Sequence, residues 1–333
     1  MVCICIPTFN AATTIKETLK SILAQTYENF VIHISDNAST DQTLAIVESF
    51  RDPRIEVHRH TRNIGGEGNF NRCINLAEGE YSVIFHADDI YEPNIISKQV
   101  QYLQKHPKAC AVFTAANFID DSGMKIGAHK LPKELSEGIN QYSFQILFKM
   151  VLQYYNFFIC SSVMIRTKIL KNEIKVWRPE LFGSSADLDV WLRLSMNHPI
   201  GFLSEPLIRY RLSKSQFSHG VRSRTKRADF FRVIDYYLAS NTIGCDMKKV
   251  DYDHLNWLLR SDIARRALSF FMDDKFENAY LLCSNQISTD AFRAASKSRR
   301  GFFTLLLILY INLFYFLRMP RVGKFIMSYF KFY

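Results

Sequence analysis

Short apolar segments alternate with amphipathic helical segments through the first 90 residues of the chain. The apolar segments are four to six residues long, and between them apolar residues recur at helical spacing, as from Ile15 to Gln25. Strands that alternate with helices of about ten residues are typical of parallel sheets in α/β proteins. We therefore predict an α/β fold with a mostly parallel sheet flanked by helices. The four predicted strands are Val2–Ile6, Phe30–Ser35, Ile55–His58 and Tyr81–Phe85.

Polar clusters lie at the ends of three of these predicted strands. They are Pro7–Asn10, Ser35–Asp41 and His86–Asp89. The carboxyl ends of parallel strands share one edge of the sheet, and ligands of α/β proteins bind outside that edge. We therefore expect the three clusters to converge on one binding site.

The neighbouring carboxylates Asp88 and Asp89 are candidate metal ligands. Two adjacent ionised carboxylates repel each other unless a cation or hydrogen-bond donors compensate them. Mg²⁺ and Mn²⁺ are bound by one or two carboxylates together with substrate phosphates. Aspartate also favours turns and helix caps, so the residues alone leave both interpretations open. Asp36 also has two interpretations, a hydrogen bond to a base or ribose and an ordinary helix cap.

The rest of the chain predicts further strands and then a helical region. The segment Ile159–Ile165 is expected to be a strand and Asp189–Met196 a helix. Asp189 is expected to stabilise the start of that helix, and Arg193 to lie on its solvated face. Long amphipathic helices are predicted after residue 227, at Asp229–Ser240, Asp253–Phe271 and Lys275–Ser284.

Composition is that of a globular protein with a basic surface. The 333 residues are 48% apolar and 22% charged, and the net charge is +10. Such a charge attracts anions in general. No nucleic-acid-binding motif is present, so we expect no nucleic-acid partner. A dinucleotide fold is disfavoured because Gly65-Gly66-Glu67-Gly68 is not a G-x-G-x-x-G loop after the first strand.

The cysteines indicate a reducing compartment. They number seven, and their spacing suggests no disulfide framework. Cys3 and Cys5 alternate with apolar residues and are expected to be small buried hydrophobic side chains. The sequence has no CxxC motif or Cys/His cluster that predicts zinc. No secretory signal precedes the first strand, so we expect a cytoplasmic protein or a cytoplasmic catalytic face.

The segment Phe302–Leu317 is apolar except for Thr304 and Asn312, and arginines flank it on both sides. As a helix it would be about 25 Å long, somewhat short for a bilayer core of about 30 Å. The tail after Pro320 mixes basic and aromatic residues, which suits a lipid headgroup region. We favour shallow or re-entrant attachment to an anionic membrane surface. A transmembrane span, and a buried helix or homo-oligomer interface, are the alternatives.

A series of motifs in the first 215 residues resembles the family 2 glycosyltransferases, which have a GT-A, Rossmann-like fold. Each motif is loose, but their order along the chain makes the resemblance specific. The motifs are Ile6-Pro7-Thr8-Phe9-Asn10, Ser35-Asp36-Asn37-Ala38-Ser39-Thr40-Asp41, Arg62-Asn63-Ile64-Gly65, Ala77-Glu78-Gly79-Glu80-Tyr81, Ala87-Asp88-Asp89, Ala186-Asp187-Leu188-Asp189-Val190-Trp191-Leu192-Arg193 and Glu205-Pro206-Leu207-Ile208-Arg209-Tyr210-Arg211.

The resemblance implies a nucleotide-diphosphate-sugar donor, a UDP-sugar above all, and transfer with inversion at the anomeric carbon. Asp89 matches the direct ligand of Mn²⁺ or Mg²⁺. Asp88 matches a residue of the same metal site that contacts the ribose or the groups bound around the ion. Asp187 matches the general base that takes the proton of the acceptor hydroxyl. The positions that match contacts to the nucleoside are Pro7, Thr8, Asn10, Asp36, Asn63 and Gly65.

Three positions depart from the family pattern. Ala186 stands where a glutamate usually precedes the base, and His86 where many members have the first aspartate of the metal motif. Ser213 occupies the place of a frequent histidine. The residues expected to contact the diphosphate instead are Arg211, Lys214 or His219.

With this resemblance, the sequence predicts a hexosyltransferase in three regions. Residues 1–220 form the catalytic GT-A domain, 221–298 a helical region, and 299–333 an apolar and basic membrane-associating segment. We expect assembly of a lipid-linked bacterial surface polysaccharide, by a peripheral or monotopic protein at the cytoplasmic face of the inner membrane. A catalytically degenerate nucleotide-sugar-binding or membrane scaffold protein is the alternative.

Overall fold

The chain divides into two units, Met1–Ser213 and Lys214–Tyr333. The structure is a computed structural model, and it describes residues 1–129, 131–136, 141–213, 224–240, 247–297 and 299–329. In the described residues, every strand lies in the first unit, and the second unit is helical.

A mixed sheet forms the centre of the first unit. Its strands are β1 Val2–Thr8, β2 Phe30–Asp36, β3 Ile55–Arg59, β4 Tyr81–Ile84, β5 Ile90–Tyr91, β6 Ala111–Ile119, β7 Lys125–His129, β8 Met164–Arg166 and β9 Ile200–Arg211. They lie in the order β3-β2-β1-β4-β8-β6-β9-β5, with β7 paired to β6. The predicted α/β class is confirmed.

The parallel part of the sheet is the part that the alternating pattern predicted. β1 pairs in parallel with β2 and β4, and β2 pairs in parallel with β3. Beyond β4 the sheet is mixed, because the short β8 pairs antiparallel with both β4 and β6. β9 then pairs in parallel with β6 and antiparallel with β5.

Helices of the first unit connect these strands. In α1, the buried residues Ile15, Leu19 and Ile22 recur at helical spacing and join the hydrophobic core around β1. The helices are α1 Ile15–Leu23, α2 Thr43–Glu48, α3 Gly66–Leu76, α4 Ile95–Lys105, α5 Lys133–Ser136, α6 Phe144–Tyr154, α7 Thr167–Ile169, α8 Pro179–Phe182 and α9 Ala186–Asn197.

Two local expectations differ from the structure. The segment predicted as the strand Ile159–Ile165 is a 3₁₀ turn at Cys160–Ser162 followed by β8. Ser162 Oγ donates to Ile159 O at 2.8 Å, and such local side-chain bonds compete with strand pairing. In addition, the apolar spacing of the sequence predicts a helix at Asn71–Ala77, whereas α3 begins at Gly66, after Gly65 turns the chain with a φ of 81°.

The second unit consists of helices around a small core of its own. The core joins Ala267 and Phe271 to Cys283, and to Ile308 and Ile311 of the apolar C-terminal segment. Within the described residues, no helix is both long and apolar enough to cross a bilayer. The helices are α10 Asp229–Ala239, α11 Lys249–Met272, α12 Phe276–Cys283, α13 Thr289–Lys297, α14 Arg299–Phe316 and α15 Pro320–Tyr329.

Candidate active site

The polar clusters that follow β1 and β2 are hydrogen-bonded to each other at the carboxyl edge of the sheet. Asn10 Oδ1 accepts a bond from Thr40 N at 2.9 Å, and Asn10 N donates to Ser39 Oγ at 3.0 Å. Thr8 lies opposite Asp36 in the strand register. The first two clusters therefore meet, because β1 and β2 are parallel neighbours that end at the same level.

Asp36 has a fully buried carboxylate with one oxygen that lacks a partner. Its Oδ2 accepts a bond from Ser39 N at 3.1 Å, whereas Oδ1 has no hydrogen-bond partner in the described part of the chain. Most buried polar atoms of folded proteins are paired, so this oxygen is suited to accept a bond from a bound hydroxyl or N–H group. Pro7 is on the neighbouring strand, opposite Ser35.

The side chain of Asn37 fixes the loop that follows β3. Its Nδ2 donates to Asn63 Oδ1 at 2.9 Å and to Gly65 O at 3.0 Å. Its Oδ1 accepts a bond from Ile64 N at 2.9 Å. The predicted contact residues Asn63 and Gly65 therefore lie beside the end of β2. The predicted site residues do not include Asn37, although an amide within a polar motif is a signal for such a clamp.

Asp89 is fully buried after β4, and the protein holds both of its oxygens. Oδ2 accepts a bond from Ser161 Oγ at 2.6 Å, and Oδ1 accepts one from Arg211 N at 2.9 Å. Burial, and then the charge of Asp88, raise the pKa of Asp89 well above its usual value. A divalent cation beside the two carboxylates would favour their ionised forms and so lower the pKa of Asp89.

His86 completes a set of potential metal ligands with the two aspartates. One ligand atom from each of His86, Asp88 and Asp89 lies within 4.8 Å of the others. His86 Nε2 is buried and has no hydrogen-bond partner among the residues described. Burial lowers the pKa of His86, which favours the neutral imidazole that binds metals. The residues present therefore fit a divalent cation.

Arg211 connects the end of β9 to the loop that carries Asp88. Its side chain is only 4% exposed, and its Nε donates to Asp88 O at 2.9 Å. Its other nitrogens donate to the carbonyls of Asp120 and Asp121 and to Glu17 Oε2. These bonds turn the guanidinium inward as an anchor, and the expected contact of Arg211 with a diphosphate stays a prediction. Lys214 and His219 lie outside the described residues.

Asp187 lies in the first turn of α9 with a partly exposed carboxylate. Asn156 Nδ2 donates to its Oδ2 at 3.4 Å. Burial raises the pKa of Asp187 to about 6, and the bond from Asn156 works in the opposite direction. A carboxylate with a pKa close to neutral combines a large ionised fraction with useful basicity, as a general base requires.

Asp187 shares its surroundings with the aspartates after β4. Burial raises the pKa of the Cys160 thiol, and the charges of Asp187 and Asp89 raise it further. The same two charges, together with Asp88, act on the hydroxyl of the partly buried Tyr210. Each of the three carboxylates is therefore near enough to Tyr210 to act on its hydroxyl by charge. Cys160 belongs to no sequence motif. Its position beside these carboxylates could not be predicted, because residues distant in the chain form its surroundings.

Asp189 is a structural residue. It is fully buried and forms ion pairs with Arg178 and Arg193, the latter at 2.9 Å. Arg193 also donates to the carbonyls of Ile174 and Val176. The expectation of a solvated Arg193 is wrong, because this guanidinium joins α9 to the segment before α8.

Comparison with known proteins identifies the class. The family model for glycosyl transferase family 2 matches residues 3–173, and the chain belongs to this family. An uncharacterised glycosyltransferase of Haemophilus influenzae is 25% identical over 290 residues, 83% of this chain and 85% of that protein. One of Methanocaldococcus jannaschii is 29% identical over 202 residues, 60% of this chain and 66% of that protein.

A relative with a named activity is the Escherichia coli enzyme WfaP, UDP-Glc:alpha-D-GlcNAc-diphosphoundecaprenol beta-1,3-glucosyltransferase. It is 29% identical over 173 residues, 52% of this chain and 63% of that protein.

Two solved structures share the fold. Staphylococcus aureus TarS 1–349 in complex with UDP-GlcNAc has a TM-score of 0.60 at 17% identity, over 94% of this chain and 91% of that one. The mannosyltransferase PcManGT of Pyrobaculum calidifontis, in complex with GDP-Man and Mn²⁺, has a TM-score of 0.52 at 15% identity, over 94% and 86%. These likenesses establish the predicted GT-A-like glycosyltransferase fold.

Proposed function

We propose that this glycosyltransferase moves a hexose from a nucleotide-diphosphate-sugar to an acceptor hydroxyl with inversion, with Asp187 as the base. The proposal rests on one observation: the charges of Asp187, Asp88 and Asp89 all act on the hydroxyl of Tyr210. Both structural relatives named above hold a nucleotide-sugar, UDP-GlcNAc in TarS and GDP-Man in PcManGT. A UDP-sugar is our preferred donor.

The donor nucleoside is proposed to bind at the ends of β1 and β2. The unpaired Oδ1 of Asp36 is suited to accept a bond from the base or ribose. Thr8 and Asn10 would line one side of this pocket, with Pro7 in β1 beside them. Asn63 and Gly65 would line the other side, in the loop that Asn37 holds in place.

The diphosphate is proposed to lie next to Asp88 and Asp89. These carboxylates and His86 would hold Mn²⁺ or Mg²⁺, and the ion would neutralise charge that develops on the departing diphosphate. Arg211 acts as a positioning residue, because its bonds to Asp89 and Asp88 fix the backbone between them.

Asp187 would remove the proton of the acceptor hydroxyl as that oxygen attacks the anomeric carbon. The C1–O bond to the diphosphate breaks as the new glycosidic bond forms on the opposite face, which inverts the centre. Asn156 orients the carboxylate through the bond to Oδ2. A single displacement of this kind needs one base and no protein nucleophile.

A lipid-linked glycan is the proposed acceptor, at the cytoplasmic face of the inner membrane. The name of WfaP specifies a diphosphoundecaprenol-linked acceptor. In addition, α14 and α15 carry large exposed apolar side chains beside the basic residues Arg318 and Arg321. We propose that this surface contacts anionic lipids. The alternative is that it forms the interface of a homo-oligomer.

A screen of nucleotide-sugars tests the reaction directly. The full-length protein should hydrolyse or transfer from one donor class with Mn²⁺ or Mg²⁺ and lose activity in EDTA. Asp88→Asn should lose activity, whereas Glu48→Gln, on the exposed side of α2, should keep it. Donor binding without turnover under all of these conditions would favour the scaffold alternative instead.

A further inference from the structure

A second group of potential metal ligands lies on the sheet, apart from the candidate active site. His33 is in the middle of β2, and Glu56 and His58 are on the neighbouring β3. His33 precedes Asp36 by three residues, which is about 10 Å along a strand. The three side chains lie on one face of the sheet. His33 and Glu56 are register partners, and Glu56 and His58 are two residues apart on the same strand.

The three nearest ligand atoms form a triangle of suitable size for a transition-metal ion. His33 Nδ1 is 2.9 Å from His58 Nε2 and 3.5 Å from Glu56 Oε2, and the last two atoms are 3.9 Å apart. A circle through three points with these separations has a radius of about 2.0 Å, and Zn–N and Zn–O bonds are about 2.0–2.2 Å. An ion at the centre of this triangle would therefore lie about 2.0 Å from all three atoms, within the range of Zn–N and Zn–O bonds.

The opposite edge of the His33 ring already has the partner that a metal-bound histidine requires. His33 Nε2 lies 3.2 Å from Glu78 Oε1. A carboxylate at this position holds the proton on Nε2 and directs the lone pair of Nδ1 towards the metal. His58 would carry its own proton on Nδ1, which frees Nε2 for the same ion.

The surroundings favour a cation that accepts nitrogen ligands. Glu56 and Glu78 supply two negative charges beside His33. Two imidazoles suit Zn²⁺ better than Mg²⁺ or Ca²⁺, which prefer oxygen. The side chain of His33 is 6% exposed and that of Glu56 is 56% exposed, so the site is anchored on one side and open to a water ligand on the other.

We propose that His33, His58 and Glu56 form a zinc site that fastens β3 to β2, with Glu78 as the residue that positions His33. β3 is at the end of the strand order, so its other edge pairs with no strand in the described sheet. A metal bridge would add a cross-strand link there. The proposal does not depend on the transferase reaction.

Metal titration of the full-length, metal-depleted protein tests the site. We expect one equivalent of Zn²⁺ to bind in competition with a chromophoric chelator, and Co²⁺ in its place to give visible absorption typical of a nitrogen-containing site. Glu56→Gln and His58→Gln should each weaken binding at least tenfold, and Glu78→Gln about 10–100-fold. Glu28→Gln, an exposed acid just before β2, is the matched control and should bind like the wild type.

An Asp88→Asn background separates this site from the candidate active site. The zinc equivalent should persist in that background, and loss of binding there would overturn the proposal. It would equally be overturned if the wild type bound no zinc, or if Glu56→Gln and His58→Gln bound as tightly as wild type. Because Glu56 is exposed, a folding defect is not expected to obscure that variant.

Discussion

At the scale of single residues, burial gives Asp187 its chemical character. A surface aspartate is too weak a base at neutral pH to assist an alcohol, whereas the surroundings of α9 raise the pKa of Asp187 to about 6. The bond from Asn156 prevents a larger shift. The carboxylate is therefore mostly ionised at neutral pH and still more basic than an ordinary aspartate.

The pH dependence of the reaction should show the ionisation of Asp187. We expect kcat/KM to rise with pH through an acid limb near pH 6, because only ionised Asp187 accepts a proton. Asp187→Asn should lower kcat about 10²–10⁴-fold while the donor Kd changes little. Asn156→Ala should move the acid limb to higher pH, since it removes a bond that favours the carboxylate. An unchanged limb in Asn156→Ala would contradict the assignment.

Stability should change with pH in the opposite sense to activity. Below about pH 3, Asp187 is protonated in both the folded and the unfolded chain, so Asp187→Asn should be nearly neutral there. Above pH 6, Asp187 is ionised in the folded protein, where burial disfavours its charge. Because its pKa is higher in the folded chain than in the unfolded chain, ionisation lowers the free energy of unfolding. Asp187→Asn should therefore raise the free energy of unfolding by about 1–2 kcal/mol at pH 8, a discounted value because the carboxylate is partly exposed. Urea denaturation at the two pH values measures this difference, and equal effects would refute it.

At the scale of elements, the end of β9 holds the loop that carries the proposed metal ligands. Arg211 bonds through its main chain to Asp89 and through its side chain to Asp88 O and Glu17. Neighbouring Arg209 instead forms a half-exposed pair with Glu92. Two arginines two residues apart on one strand therefore have different functions.

Arg211→Lys should weaken metal activation more than it weakens turnover. Lysine cannot reproduce the several directed bonds of the guanidinium, so the loop should lose its fixed geometry. We expect the Mn²⁺ concentration for half-maximal activity to rise about tenfold, with most of kcat recovered at saturation. Arg209→Lys is the matched control and should leave metal activation unchanged. A fall in kcat alone would argue for a direct catalytic role of Arg211.

A second element, α9, depends on the buried ion pairs of Asp189. Asp189→Ala would leave the guanidinium groups of Arg178 and Arg193 without their common carboxylate. We expect a loss of about 3 kcal/mol or more in the free energy of unfolding. Asp290→Ala, which removes an exposed partner of Arg293, should cost less than about 1 kcal/mol. Fluorescence of buried Trp177 and Trp191 during urea unfolding follows the first change, and similar losses in both variants would contradict it.

At the scale of the whole molecule, the chain combines a sheet unit with a helical unit that exposes apolar residues. In α14, Ile308 and Ile311 are buried in the core of the helical unit, whereas Phe316 is 82% exposed. Phe325 in α15 is 63% exposed. Truncation near residue 295 would remove part of that core, so substitutions of exposed residues give the cleaner test of membrane contact.

Binding to vesicles should depend on these exposed side chains. The full chain is expected to co-sediment with anionic vesicles, less strongly in high salt because Arg318 and Arg321 contribute by charge. Phe316→Ser combined with Phe325→Ser should weaken binding at least tenfold, since each buried phenylalanine contributes about 1.5–3 kcal/mol. Met124→Ser, an exposed apolar residue of the first unit, serves as the control. Concentration-dependent dimers that the double variant abolishes, without vesicle binding, would favour the oligomer alternative.

Much of the parallel half of the fold could be predicted from the sequence, because its signals are local. The apolar run of β1 and the helical spacing in α1 each encode their element within a few residues. Strand-end polarity indicated where Asp36 and Asp89 would lie, since parallel strands share one edge. The 3₁₀ turn at Cys160–Ser162 could not be predicted, because its buried serines bond to groups distant in the chain.

The amino-acid pattern by itself determined the α/β class, the family and the positions of the acidic motifs, because periodicity and short motifs are properties of neighbouring residues. Only the tertiary structure decided what each charged side chain does. It turned Arg211 inward, paired Asp189 with two arginines, and brought His33 to within 2.9 Å of His58 across 25 residues of chain. Burial and the distance between groups remote in sequence set pKa values and ligand geometry, and neither is encoded locally.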